Sequence, residues 1–166
     1  PDVAYDHAKV IARKARVVKK LVAGVGATMK AEGVKVYMAE AVVQGRGADG
    51  TFEVSAGGEV IAADRLVIAT GSTTAKPPIT GLQEGLDAGF VLTNREILDL
   101  KELPDSLVCL GGGVIGLEMA CYFASVGVKV TVIEMMPKIA GPTDPDICSN
   151  LMKTYKQEGM EFKLSA

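Results

Sequence analysis

The sequence predicts an α/β chain made of two unlike halves. Three observations predict it. Apolar residues recur at helical spacing over residues 4–32, residues 34–69 alternate between turn-rich breaks, and residues 107–166 read strand-helix-strand-helix-strand around one glycine-rich turn. A long helix plus an antiparallel β-meander, part of one domain, should therefore precede a β-α-β-α-β half.

The helix comes first. Ile11, Ala15, Val18, Val22, Val25 and Met29 line one face, and Lys9, Arg13, Lys14, Arg16, Lys19 and Lys20 cover much of the rest. Those bases read as a solvated face rather than a nucleic-acid patch, because no stacking aromatics interleave with them. Gly33 suits the stop. Next, "VKVYMAEAVV" alternates, "GADG" is a turn, "TFEVSA" a short strand and "GGE" a tight turn. "VIAADRLVIAT" then supplies one or two more strands, ending in a buried run from Leu66 to Ala69. The loop "TGSTTAKPPITG", with Pro77 and Pro78, suits a linker. The expected domains are residues 1–80 and 81–166.

In the second half, "LVCL" is a continuous apolar run, as a parallel strand covered on both faces requires. Val114–Val126 is helical, "VKVTVIE" is a strand, and Thr143 or Asp144 caps a helix with Pro145 in its first turn. That helix ends near Gly159, and "MEFKL" is the third strand.

Composition narrows the function classes. The 166 residues carry a net charge of -2, which gives no pull toward nucleic acid or anionic lipid. No apolar run approaches the roughly 20 residues of a membrane span. The start "PDVAYDHAKV" has no signal-peptide core and no initiator Met, so an excised piece is expected, and reduced thiols fit the cytoplasm. Cys109, Cys121 and Cys148 have no metal or redox spacing and read as inert thiols. His7, the single histidine, reads as a surface residue. No metal site and no catalytic nucleophile or base is expected.

One motif carries chemistry. "LGGGVIGLEMA" contains Gly111, Gly113 and Gly116 in the spacing G-x-G-x-x-G, after a strand and before a helix. Gly111 permits the tight turn, Gly113 removes a Cβ where pyrophosphate approaches, and Gly116 lets the helix pack on the strand, a Rossmann-like arrangement. The helix N-terminus offers free N–H groups and about half a positive charge. Glu134 ends the next strand, 18 residues beyond Gly116, where an acid accepts the ribose hydroxyls. A 2'-phosphate about 4 Å from it would be repelled by about 4 kcal/mol at a dielectric of ~20, and a quarter of that disfavours NADP about fivefold. NAD is the expected cofactor.

"VIATGS", residues 67–72, resembles the Ala-Thr-Gly signature of flavoproteins that bind two dinucleotides. With the glycine motif about 40 residues on, the whole chain resembles the middle of the pyridine nucleotide–disulfide oxidoreductases, most closely their dihydrolipoamide dehydrogenase branch. The resemblance implies that residues 1–80 are the C-terminal part of an FAD-binding domain and 81–166 the N-terminal part of an NAD-binding domain. Gly111, Gly112, Gly113, Val114, Ile115, Gly116 and Glu118 would line the NAD site, with Glu134 on the ribose and Val114 where nicotinamide approaches flavin. Glu118 would lie near the flavin; a carboxylate in the first helical turn, favoured by the dipole, is the alternative for it. Thr70, Gly71 and Ser72 would touch FAD, and Ala41 matches a position near the adenine.

Such an enzyme oxidises protein-bound dihydrolipoamide and reduces NAD. Its implied partners are a lipoyl-bearing acyltransferase or glycine-cleavage carrier, and a second subunit as a homodimer. The family's N-terminal FAD fingerprint, its C-x-x-x-x-C disulfide and its His-Glu pair do not occur in this sequence. The chain alone is thus expected to be inactive, and its helix to self-associate or lose order. An NADH oxidase or other disulfide reductase is the alternative enzyme, and a non-catalytic NAD-binding module the alternative of another class.

Overall fold

A computed structural model describes residues 4–166. It falls into two compact units: residues up to Lys14 with Thr74–Ala166, and Ala15–Thr73.

The larger unit holds a parallel sheet of β4 (Ser106–Leu110), β5 (Lys129–Glu134) and β6 (Glu161–Leu164), in that spatial order. Two crossover helices join them: α3 (Val114–Ser125) and α4 (Pro145–Gln157). The register sets Cys109 beside Val132, and Val132 beside Phe162. This in-line strand order is half of a doubly wound sheet. One core cluster gathers Cys109, Ala120, Phe123, Val130, Val132 and Met160 between sheet and helix. A second gathers Leu117, Ile139, Ala140 and Cys148. Asp144 caps α4 by accepting the Asp146 N–H at 2.9 Å, with Pro145 in the first turn as expected. The stretch before β4 also contains α2 (Leu82–Asp87) and a 3₁₀ turn (Ile97–Asp99). Both are too short for periodicity to announce.

The smaller unit contains most of α1 (His7–Ala31) and an antiparallel meander of β1 (Ala41–Arg46), β2 (Phe52–Ala56) and β3 (Glu59–Ala63). Val43, Val54 and Ile61 stack in register across the three strands. Ala56 is its one buried apolar side chain among the described residues. On α1, Val18, Leu21, Val22 and Val25 are half or more exposed.

Three expectations need correction. Residues 34–40 do not extend β1, because β2 ends at Ala56 opposite Ala41 and leaves them no strand to pair with. The run Leu66–Ala69 is not a buried strand: Val67 is 84% and Ile68 74% exposed, since β3 stops at Ala63 and no described strand lies beyond it. His7 is not a surface residue but 8% exposed. Its Nε2 donates to the Leu100 carbonyl at 2.8 Å. Its Nδ1 lies 2.7 Å from the Tyr5 hydroxyl and 3.1 Å from that of Tyr122. A helical pattern cannot show this, because every partner but Tyr5 lies more than 90 residues away.

No helix among the described residues is long and apolar enough to cross a membrane. No three metal-ligating side chains converge among them.

Candidate dinucleotide site

The site is built where β4 turns into α3. The Gly111 N–H donates to the Ile133 carbonyl at 2.8 Å, which continues the β4–β5 ladder one residue past the strand. The chain then turns with Gly111 at φ 101°, a left-handed conformation that a side chain disfavours. A Cβ on Gly116 would stand 2.5 Å from the Gly111 carbonyl oxygen, so only glycine lets α3 start so close to the turn.

Gly113 is different. Its φ is -75°, open to any residue, and a Cβ there would meet no atom within 4 Å. Nothing within the chain requires glycine at that position. It sits at the N-cap of α3 and carries no capping side chain. The N–H groups of Val114, Ile115 and Gly116 occupy the first turn, where an α-helix supplies no acceptor. Gly113 itself accepts from the Leu117 N–H at 2.9 Å. Val114 and Ile115 are exposed at 61% and 57%. Open space, unpaired donors and the positive helix end thus converge on one spot, which favours a phosphate.

Glu134, at the end of β5, faces the same turn. Its Oε2 accepts the Gly112 N–H at 2.7 Å and its Oε1 the Met136 N–H at 2.8 Å. Each oxygen keeps a lone pair for a further donor such as a ribose hydroxyl. The residues therefore fit the adenosine diphosphate part of NAD.

Glu118 is exposed on α3 but not in its first turn, which holds no acid because the helix starts at Val114. The helix dipole acts within the first turn and so does not account for Glu118. Cys109, buried one residue before Leu110, has its thiol pushed up from the ordinary value by burial. It stays protonated and unreactive. Ala41 opens β1, and Thr70, Gly71 and Ser72 lie in a segment without regular structure. All four are exposed and belong to the smaller unit. Spacing alone missed the loop between β5 and α4. Its Ile139 and Ala140 back the glycine turn, and nothing in "MPKIAGPTDPD" signals that.

A β-strand, a glycine turn and a helix with an acid on the next strand have the geometry of a dinucleotide-binding α/β unit. The pyridine nucleotide-disulphide oxidoreductase model matches residues 3–166, and the chain belongs to that family. It is 41% identical over 165 residues to the dihydrolipoyl dehydrogenase of Acholeplasma laidlawii, covering 99% of this chain and 48% of that protein. It is 35% identical to the dihydrolipoyl dehydrogenase of Chlorobaculum tepidum, covering 99% of this chain and 34% of that one. Among solved structures, the HOCl-induced flavoprotein disulfide reductase RclA from Escherichia coli superposes with a TM-score of 0.80 at 28% identity, over 98% of this chain and 36% of the other. The chain thus spans between a third and a half of these three proteins.

Proposed function

We propose that this chain is the central part of an FAD-dependent dihydrolipoamide dehydrogenase and that its glycine turn holds NAD. The observation that carries this is Gly113, whose lack of a side chain no φ and no neighbour demands. A phosphate from outside the chain supplies the demand. The Val114, Ile115 and Gly116 N–H groups donate to the diphosphate, Gly111 and Gly112 shape its cradle, and Glu134 accepts from the ribose. NAD, when bound, accepts a hydride. The chain's own task is to bind and orient.

Residues 1–80 form the C-terminal part of an FAD-binding domain and 81–166 the N-terminal part of the NAD-binding domain. Thr70, Gly71 and Ser72 contact FAD, with Ala41 near its adenine and Glu118 toward the flavin. A lipoyl-bearing carrier, a homodimeric partner and a cytoplasmic setting complete the proposal.

Titration calorimetry tests it. Gly113→Val should weaken NAD and NADP alike, because a side chain then fills the phosphate position. Glu134→Ala should weaken NAD and relax the preference over NADP, expected at about fivefold. Equal loss of both nucleotides from Glu134→Ala contradicts the assignment. The likeness to RclA favours a second reading, another flavoprotein disulfide reductase. Reduction of NAD by dihydrolipoamide, assayed in a natural protein that carries this sequence, separates the two.

A further inference from the structure

We propose that Lys138 is a positioning residue of the dinucleotide site. It fixes the loop between β5 and α4, and that loop sets the glycine turn. This rests on the NAD reading above and assigns a role to a side chain to which that reading gives no contact with the nucleotide.

Lys138 is half-buried, and its ammonium folds back onto the backbone of its own loop. It donates to the carbonyls of Gly141 at 2.5 Å and Thr143 at 2.7 Å. Its third hydrogen has Cys148 Sγ at 3.9 Å, and the Cys148 thiol in turn donates to the Thr143 carbonyl at 3.4 Å. Two carbonyls converge there because the loop curls sharply. Ala140 has φ 61° and Gly141 φ 55°, two left-handed residues in succession. An alanine holds that conformation only where its surroundings over-determine it.

Those surroundings are the glycine turn. The Ala140 N–H donates to the Gly112 carbonyl at 2.8 Å. Ile139 is fully buried, and its Cγ2 lies 3.1 Å from where a Gly112 Cβ would stand. Gly112 is thus gripped on its carbonyl by Ala140, on its N–H by Glu134 and on its Cα face by Ile139. Lys138 closes the loop that carries two of these three grips. Removing its ammonium takes the charged donor from both carbonyls and leaves Thr143 only the long Cys148 thiol contact, so the loop is no longer tied across its own curl.

The test uses the full chain. Amide exchange at Ala140, read by nuclear magnetic resonance without ligand, reports the loop, and calorimetry with ADP-ribose reports the site. Lys138→Met should lose protection at Ala140 and bind ADP-ribose roughly tenfold more weakly, the scale of a lost charged hydrogen bond or a misplaced binding group. Lys138→Arg should retain both, because its fork reaches two carbonyls. Should the Met variant fail to fold, Lys138→Gln, with one two-hydrogen donor group, takes its place. Unchanged exchange at Ala140, or ADP-ribose affinity equal to that of the unmodified chain despite a lower melting midpoint, overturns the proposal. If the unmodified chain binds no ADP-ribose, the NAD reading falls, and the Ala140 amide alone decides whether Lys138 sets the turn.

Discussion

Gly116 and Gly113 sit three residues apart and answer to different masters. Gly116 is fixed by the chain, because a Cβ would press to 2.5 Å on the Gly111 backbone oxygen. Gly116→Ala should therefore destabilise the chain by roughly 1–3 kcal/mol, the cost of overpacking against atoms that cannot swing away. Gly113→Ala, with nothing within 4 Å, should lower the thermal midpoint less, by the N-cap preference of glycine over alanine alone, and should also weaken nucleotide binding. Thermal melts of the two variants side by side check this. A second residue-scale prediction concerns Tyr122. Burial, with the Tyr5 hydroxyl 2.6 Å away, pushes its phenol up from 10 to about 12. A raised phenol binds its proton more tightly in the folded state. Its contribution to stability is therefore full below pH 10 and is lost as pH rises toward 12. Denaturant melts should show that decline, and Tyr122→Phe should flatten it.

At the scale of elements, the two units differ in what holds them. Sheet β4–β5–β6 is sandwiched with α3 and α4 over two buried clusters. The meander β1–β3 has Ala56 alone buried, and relies on cross-strand pairs and exposed contacts such as Lys35 to Glu59 at 2.8 Å. That pair holds the Glu59 carboxyl below its ordinary range, yet exposed ion pairs contribute little to stability. Three strands need a covered hydrophobic face to be stable. Hydrogen exchange should consequently be fast throughout β1–β3 and slow in β4–β5. Comparable protection in both sheets would contradict this. For α4, Asp144→Ala removes the acceptor of the Asp146 N–H and should cost about 1 kcal/mol, measurable by denaturant unfolding.

For the whole molecule, the expected outcome is that the 166-residue chain alone does not oxidise dihydrolipoamide. Exchange with a dithiol needs a reactive cysteine pair, and Cys109, Cys121 and Cys148 are all free, two of them buried. Assay with dihydrolipoamide, NAD and added FAD checks it, with turnover above a Gly113→Val control as the contrary result.

The sequence by itself determined the β-α-β-α-β order, a cap at Thr143 or Asp144, the glycine turn and the acid at Glu134. Each of these is local: a period, a spacing or a turn residue declares it within about 25 positions. Tertiary structure alone decided which strands found partners, and so why β1 begins only at Ala41 and why Leu66–Ala69 lies exposed. It also decided that His7 is buried against Leu100 and Tyr122, and that Lys138 folds back to close the loop that bonds Gly112. Pairing and burial depend on residues distant along the chain, and no periodicity along one segment records what another segment brings to it.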